Sequence, residues 1–354
     1  FGKDAKYLTL AEATLLAGLP AAPTIYSPLG ANPEMAKMRQ EEVLRRMVEN
    51  KYITAEEAEG AKAETLAYTD GATNIKAPHF VMYVRDLLAK EFGEDLVTHG
   101  GLTVITSLDL PTQDFAQKTV TEEVNKLARM RVGNGAAMVT NPVTGEILAM
   151  VGSKDYFDFK HDGQVNVTLR PRQPGSSIKP VNYAVALQKG FTPASVILDA
   201  PISYKSPGSP AYTPVNYDGK FHGPVTLRTA LASSYNVPAV KVLSTYGTNA
   251  MIDQGEAMGI TTWKDRKRFG LSLTLGGGEI LMKDMAEVYG SLANYGMRMP
   301  LTPILKIEDS NGKVIYQNNL DNKIRVLPAG IAYQLTNILS DNNSRAPAFG
   351  SNSL

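Results

Sequence analysis

The hydrophobic pattern opens at helical spacing. An apolar stretch runs from Leu10 to Gly18 behind Thr9, and Glu12 follows that threonine by three positions. This is the capping-box signature, in which a threonine oxygen and a glutamate serve the free N–H groups of a helix's first turn, so Glu12 reads as a capping residue. Pro20 and Pro23 forbid continuation of the helix. Asn32-Pro33 starts a second helix by the cap-then-proline signal, with Val43, Leu44, Met47 and Val48 at helical spacing. Thr54 and Glu57 form a second capping box and open a short third helix. The first seventy residues are therefore expected to be helical. Residues 70–78 read as a linker and His79 to Phe92 as an amphipathic helix. Leu102 to Thr106 reads as a strand, and Pro111 to Met130 as another helix.

At Gly133 the period changes. Residues 136–140 and 146–151 are β-runs joined by Asn141-Pro142-Val143-Thr144-Gly145, which predicts a hairpin. Pro174-Gly175-Ser176 leads into a helix ending near Gly190, whose apolar stripe is Ile178, Val181 and Val185. Residues 203–224, rich in Tyr, Ser, Pro and Gly, predict a long surface loop, a length uncommon without a function. Residues 225–300 read as mostly helical. Residues 304–307 and 314–316 predict a hairpin around Asn311-Gly312, and Ala329 to Leu339 a last helix. The order of elements predicts a mixed α/β (α+β) domain from about residue 131, with a separate helical part ahead of it. There are no internal repeats.

Composition narrows the function. The chain has 354 residues, 43% hydrophobic and 20% charged, enough for two domains or one large domain with an appendage. A net charge of +1 leaves no basic excess for nucleic acid. The absence of cysteine excludes disulfides, thiolate nucleophiles and cysteine-bound metal. His79, His99, His161 and His222 lie scattered and read as structural or surface groups. No apolar run approaches the ~18 residues of a membrane span. There is no signal peptide, and both ends read as cuts through a longer protein.

The chemistry centres on Ser176-Ser177-Ile178-Lys179. A serine hydroxyl needs a base beside it, and a neutral lysine serves where burial lowers its pKa. Residues i and i+3 are helix neighbours, so Ser176 and Lys179 are expected to meet, and free N–H groups at the helix start suit a developing oxyanion. Ser310-Asn311-Gly312-Lys313 fits the same spacing but falls on a hairpin turn. The second element is Ser233-Ser234-Tyr235-Asn236: Ser234 could pass a proton between Lys179 and a leaving group, and Asn236 could hydrogen-bond a substrate amide. A helix-opening Ser-x-x-Lys followed about sixty residues later by Ser-x-Asn is the arrangement of penicillin-recognising serine enzymes.

The surrounding segments sharpen this resemblance. Residues 170–180, Arg-Pro-Arg-Gln-Pro-Gly-Ser-Ser-Ile-Lys-Pro, resemble the nucleophile segment of class A penicillin-binding proteins. Residues 229–236 resemble their second motif, and Leu275-Gly276-Gly277-Gly278-Glu279 and residues 342–350 resemble further family segments. Tyr7 to Ala13, Ala17 to Pro20, and Arg39 with Val43, Leu44 and Met47 resemble the late helical part of the peptidoglycan glycosyltransferase domain.

The resemblance implies a penicillin-binding/serine β-lactamase-like transpeptidase fold over 131–354, a linker region over 71–130 and a glycosyltransferase remnant over 1–70. The glycosyltransferase's Glu-Asp-x-x-Phe motif is absent. So is the Lys-Thr/Ser-Gly strand, and the chain is expected to stop shortly before it, which would impair activity. The implied function is D,D-transpeptidation of peptidoglycan stem peptides through an acylated Ser176, with Lys179 as base, Ser234 as relay and Asn236 orienting the peptide. Rival readings are a D,D-carboxypeptidase or β-lactamase-like hydrolase, and a non-catalytic penicillin-binding sensor or scaffold. Transpeptidation needs no cofactor; a divalent metal is left open for the glycosyltransferase activity of the parent. Expected partners are D-Ala-D-Ala stem peptides, lipid II and glycan strands, β-lactams as inhibitors, and cell-wall synthesis proteins. The expected site of action is the extracytoplasmic face of the bacterial cytoplasmic membrane.

Overall fold

The computed structural model describes all residues except 24, 30–32, 69–74, 206–209, 320–321 and 354, and the side chain of Lys160. The chain divides into two compact units, Phe1–Ile75 and Lys76–Leu354. Among the described residues no helix is long and apolar enough to cross a membrane.

The first unit holds α1 (Leu10–Gly18), α2 (Pro33–Glu49) and α3 (Ala55–Ala63). Both capping boxes form: Glu12 N donates to Thr9 Oγ1 at 3.2 Å and Thr9 N to Glu12 Oε2 at 2.8 Å, and Thr54 pairs with Glu57 in the same way. Lys3 Nζ also donates to Glu12, and together these bonds hold its carboxyl below the usual range. The predicted cap Asn32 lies outside the described residues. Ala11, Leu44, Ala58 and Ala61 are the buried centre of a small core.

The second unit begins with α4 (Pro78–Phe92) and α5 (Glu94–His99), then β1 (Thr103–Thr106) and α6 (Leu110–Lys126). Helix α6 stops short of the predicted Met130; residues 128–130 form a 3₁₀ turn closed by Arg131 at φ +61°. β2 (Ala137–Thr140) and β3 (Ile147–Val151) make the predicted antiparallel hairpin. Within the segment 71–130, read from sequence as a linker region, Phe80, Val84 and Leu88 pack with Ile147 and Met150 of that hairpin, and Ala116 with Ala149 and Val151.

Then follow α7 (Lys179–Gln188), β4 (Val196–Asp199), β5 (Gly223–Thr226), α8 (Leu227–Ala232), α9 (Asn236–Tyr246), α10 (Thr248–Ala257) and α11 (Met282–Ala293). β6 (Met297–Arg298), β7 (Ile304–Glu308), β8 (Val314–Gln317), β9 (Ile324–Arg325), α12 (Ala329–Leu339) and α13 (Asn342–Phe349) complete it. β7 and β8 form the second predicted hairpin, and β1 adds to β7. The pair β4–β5 was not predicted: β4 reads Val-Ile-Leu-Asp, with apolar residues both exposed (Val196, Leu198) and buried (Ile197) and a buried aspartate, so no apolar–polar alternation marks it. The segment predicted as a loop, 203–224, falls between these two strands, and its last two residues open β5.

Helix α7 runs through the largest core. Nine consecutive residues, Lys179 to Leu187, are buried against apolar residues of α8, α9, α10, α11 and α12. A helix buried on all sides is normally apolar all round, which makes Lys179, at 1% exposure, the anomaly that leads to the site.

Candidate active site

The segment entering α7 is a 3₁₀ turn, Gly175–Ile178, instead of the α-helical turn expected from sequence. Eclipsed i and i+3 positions on such a turn still place Ser176 above Lys179. Gly175 takes φ +59°, a conformation costly for residues with a Cβ. Ser177 Oγ donates to Pro174 O at 2.7 Å and Tyr289 Oη donates to Ser177 O at 2.9 Å, so Ser177 serves the turn and not the cleft. Arg172 and Ile280 exchange two backbone hydrogen bonds of 2.9 Å. Beside them Gly276, at φ +91°, lies so close that a Cβ there would sit 2.3–2.6 Å from Gly175 backbone atoms. Gly276 thus has a mechanical reason: it backs the turn that carries Ser176, whereas a Cβ at Gly277 would meet Ser272 and one at Gly278 would meet Leu273 and Trp263.

The second motif is built by a helix stop. After α8, Tyr235 N bonds Ala230 O and Ser234 N bonds Leu231 O, both at 3.0 Å, with Ser234 at φ +57°. This is a Schellman closure, whose left-handed position is normally glycine. A serine there is strained, a condition that persists where the surroundings enforce it and that clusters at functional sites. Ser233 Oγ ties the stop to α13 by donating to Ser344 O at 2.9 Å.

The stop and the start of α9 converge on one atom. Lys179 Nζ donates to Ser234 O at 2.5 Å, Ser234 Oγ at 3.1 Å and Asn236 Oδ1 at 2.8 Å. All three acceptors are neutral, and among the described residues no carboxylate pairs with Lys179. Burial without a countercharge disfavours the ammonium and lowers its pKa to about 7. The geometry departs from the expected direct contact in one respect: Ser176 Oγ, exposed above the lysine, has no hydrogen-bond partner among the described residues, and Lys179 is engaged by the second motif. Ser176, Ser234 and Asn236 line one cleft of about 370 Å³ with Tyr217, Asp218 and Phe349. The second Ser-x-x-Lys, Ser310 to Lys313, sits on the β7–β8 turn, where Asp309 Oδ1 accepts from Asn311 N at 2.8 Å and Lys313 N at 3.0 Å.

Sequence reasoning missed the support behind Asn236. Asn216 Oδ1 accepts from Asn236 N at 2.8 Å and Val237 N at 3.1 Å. Asn216 Nδ2 reaches the buried Asp199 at 2.8 Å, and His222 Nδ1 lies 2.6 Å from the same carboxylate. The one available signal was the long 203–224 loop, which supplies Asn216, Tyr217, Asp218 and His222. The other histidines are structural or exposed: His79, buried against Ser153 Oγ at 2.8 Å, has its pKa lowered by burial to about 4.

Comparison with known proteins matches this architecture. Residues 135–350 match the family model described as the penicillin binding protein transpeptidase domain, and residues 1–48 match that described as transglycosylase. Penicillin-binding protein 2D of Bacillus subtilis is 36% identical over 325 residues, covering 90% of this chain and 46% of the relative. Penicillin-binding protein 1A of Rickettsia bellii is 30% identical, covering 96% of this chain and 56% of the relative. The chain thus spans about half the length of the curated relatives it matches. Among solved structures, penicillin-binding protein 1A from Haemophilus influenzae superposes with a TM-score of 0.73 at 23% identity, covering 97% of this chain and 69% of that one. PonA1 from Mycobacterium tuberculosis, solved in complex with penicillin V, gives 0.63 at 21% identity, covering 75% and 70%. With the transpeptidase model covering well over half of its residues and a transglycosylase segment ahead of it, the chain belongs to the class A penicillin-binding protein family.

Proposed function

We propose that this chain carries the acylation site of a peptidoglycan D,D-transpeptidase. The observation that carries the reading is Lys179: a fully buried lysine with neutral hydrogen-bond partners, set under an exposed serine whose hydroxyl has no partner among the described residues. An amine with a pKa near 7 is a substantial fraction free base at neutral pH, which matches a general base to its working pH.

In the first step Ser176 Oγ attacks the carbonyl of the penultimate D-Ala of a stem peptide, and its proton passes to Lys179 Nζ. The Oγ–C bond forms, the D-Ala–D-Ala C–N bond breaks, and Ser234 Oγ, bonded to Lys179, delivers a proton to the departing D-Ala nitrogen. In the second step an amine of a neighbouring stem peptide attacks the ester. The new C–N bond forms, the Oγ–C bond breaks, the amine proton leaves through Ser234 and Lys179, and Ser176 regains its own. Asn236 Oδ1 is engaged by Lys179, while its Nδ2 donates to Val215 O at 2.9 Å; this fixes the side chain at the cleft wall, where the peptide backbone would lie. No metal or organic cofactor enters these steps.

The β-lactam ring, as a strained amide, would acylate the same serine. The parent protein acts on lipid II-derived glycan strands at the extracytoplasmic face of the cytoplasmic membrane, alongside other cell-wall synthesis proteins. A divalent metal would belong to its glycan polymerisation alone. The test is formation of cross-linked dimer from stem-peptide substrates by the full-length protein, resolved by mass. Dimer that disappears in Ser176→Ala supports the reading. Release of D-Ala with hydrolysed monomer only would make the protein a carboxypeptidase, and β-lactam labelling without either product would make it a sensor.

A further inference from the structure

Behind the cleft, Asn216 uses its full hydrogen-bonding capacity. It is 3% exposed. Its Oδ1 accepts the first two backbone N–H groups of α9, Asn236 N and Val237 N. Its Nδ2 donates to Asp199 (2.8 and 3.0 Å to the two oxygens) and to Lys220 O at 2.8 Å. Two donors and two acceptors exhaust an amide side chain. The residue at the N-cap position of α9, Tyr235, offers no side-chain cap, so Asn216 supplies from the 203–224 loop what a serine or aspartate ordinarily supplies locally.

The orientation of this amide is dictated. Its NH₂ faces a carboxylate and a carbonyl, its oxygen faces two N–H groups, and a flipped amide would oppose all four. Asp199 sets the direction: it is fully buried, and besides Asn216 it accepts from His222 N at 3.0 Å and faces His222 Nδ1, with no lysine or arginine paired to it among the described residues. The adjacent Val215 O receives Asn236 Nδ2. Residues 215–216 therefore grip Asn236 by backbone and side chain and leave its Oδ1 and one Nδ2 hydrogen for the cleft; Oδ1 is the atom Lys179 Nζ uses.

We propose that Asn216, oriented by Asp199, is a positioning residue for acylation: it fixes Asn236, and through it the Nζ of Lys179, from outside the two motifs. This rests on the assignment of Ser176 and Lys179 above. Loss of the grip frees one of three acceptors on the lysine and lowers the reaction rate without unmaking the fold.

The test exchanges charge between the two partners in the full-length protein. Asn216→Asp sets carboxylate against carboxylate. Asp199→Asn sets amide against amide, so that one of them turns. The double variant restores a carboxylate–amide pair with the roles reversed, a carboxylate oxygen now capping α9, and gives up only the bond to Lys220 O. Labelling with a fluorescent penicillin yields both a second-order rate constant and a final labelled fraction. A mere folding defect lowers the labelled fraction. The positioning role lowers the rate constant at least tenfold in each single variant with the labelled fraction unchanged, and the double variant recovers to within about threefold of the parent. If Asn216→Asp does not fold, Asn216→Ser, which is too short to span Asp199 and α9, is read the same way. Wild-type rates in the single variants, or a double variant no better than they are, overturn the inference while the site assignment stands. A parent that takes no label overturns both.

Discussion

Lys179 Nζ donates to Asn236 Oδ1 at 2.8 Å, a bond between the first residue of α7 and the first residue of α9, 57 positions apart. It joins two helix starts at a point where, among the described residues, the lysine has no countercharge, and the behaviour of the site with pH follows from it.

Acylation by a penicillin is expected to rise with pH through about 7, the pKa to which burial lowers Lys179, and to level off above it, because the free amine takes the serine proton. A stopped-flow pH profile of the acylation rate constant measures the midpoint. Lys179→Arg, permanently charged, should lose at least a hundredfold at every pH.

The same lysine imposes a pH-dependent stability term. Its folded pKa lies below the unfolded value, so between about pH 7 and 10 the unfolded state binds more protons and stability rises with pH. Below pH 7 the cost of burying it is fully present. Lys179→Met removes this term. Urea unfolding of the two proteins should show the difference moving in favour of the wild type by roughly 1.4 kcal/mol per pH unit across that window at most. A pH-independent difference would mean that Lys179 is charged in the folded state.

How much of this was legible beforehand divides by range. The capping boxes at Thr9 and Thr54, both predicted hairpins and the Ser176–Lys179 spacing rest on residues within a few positions of each other, and the sequence states such relationships directly. β4 escaped because its pattern does not alternate: Val196 and Leu198 face out, and Ile197 and Asp199 both face in. The engagement of Lys179 by Ser234 and Asn236 depends on packing across more than fifty residues, as does the capping of α9 by Asn216. Neither has a local signature. The left-handed turn at Ser234 was hidden because glycine, the residue that announces it, is absent.

Ser234 offers a separation of strain from chemistry. Ser234→Gly and Ser234→Ala both remove the hydroxyl, and each should slow acylation about a hundredfold, in the range of a lost proton-transfer group. At φ +57° only glycine relieves the backbone, so the glycine variant should be about 1 kcal/mol more stable than the alanine variant. Thermal unfolding of the pair checks this; equal stability would show that the turn is unstrained.

The two glycines behind the nucleophile should differ. A Cβ at Gly175 meets nothing within 4 Å, so Gly175→Ala should cost only the left-handed strain, about 1–2 kcal/mol. A Cβ at Gly276 meets the Gly175 backbone, so Gly276→Ala must move the turn itself. It should cost more than Gly175→Ala and slow acylation at least tenfold more. Unfolding curves and penicillin labelling of both variants measure these effects.

The assignment of Ser176 as the acylated residue, above Lys179 as its base, is tested most directly by intact-mass and peptide-mapping analysis of the full-length protein after incubation with a penicillin. The expected result is one adduct of the mass of the intact drug, mapped to Ser176 and absent from Ser176→Ala. An adduct mapped to Ser177, Ser234 or Ser310, or one that survives in Ser176→Ala, would contradict the account.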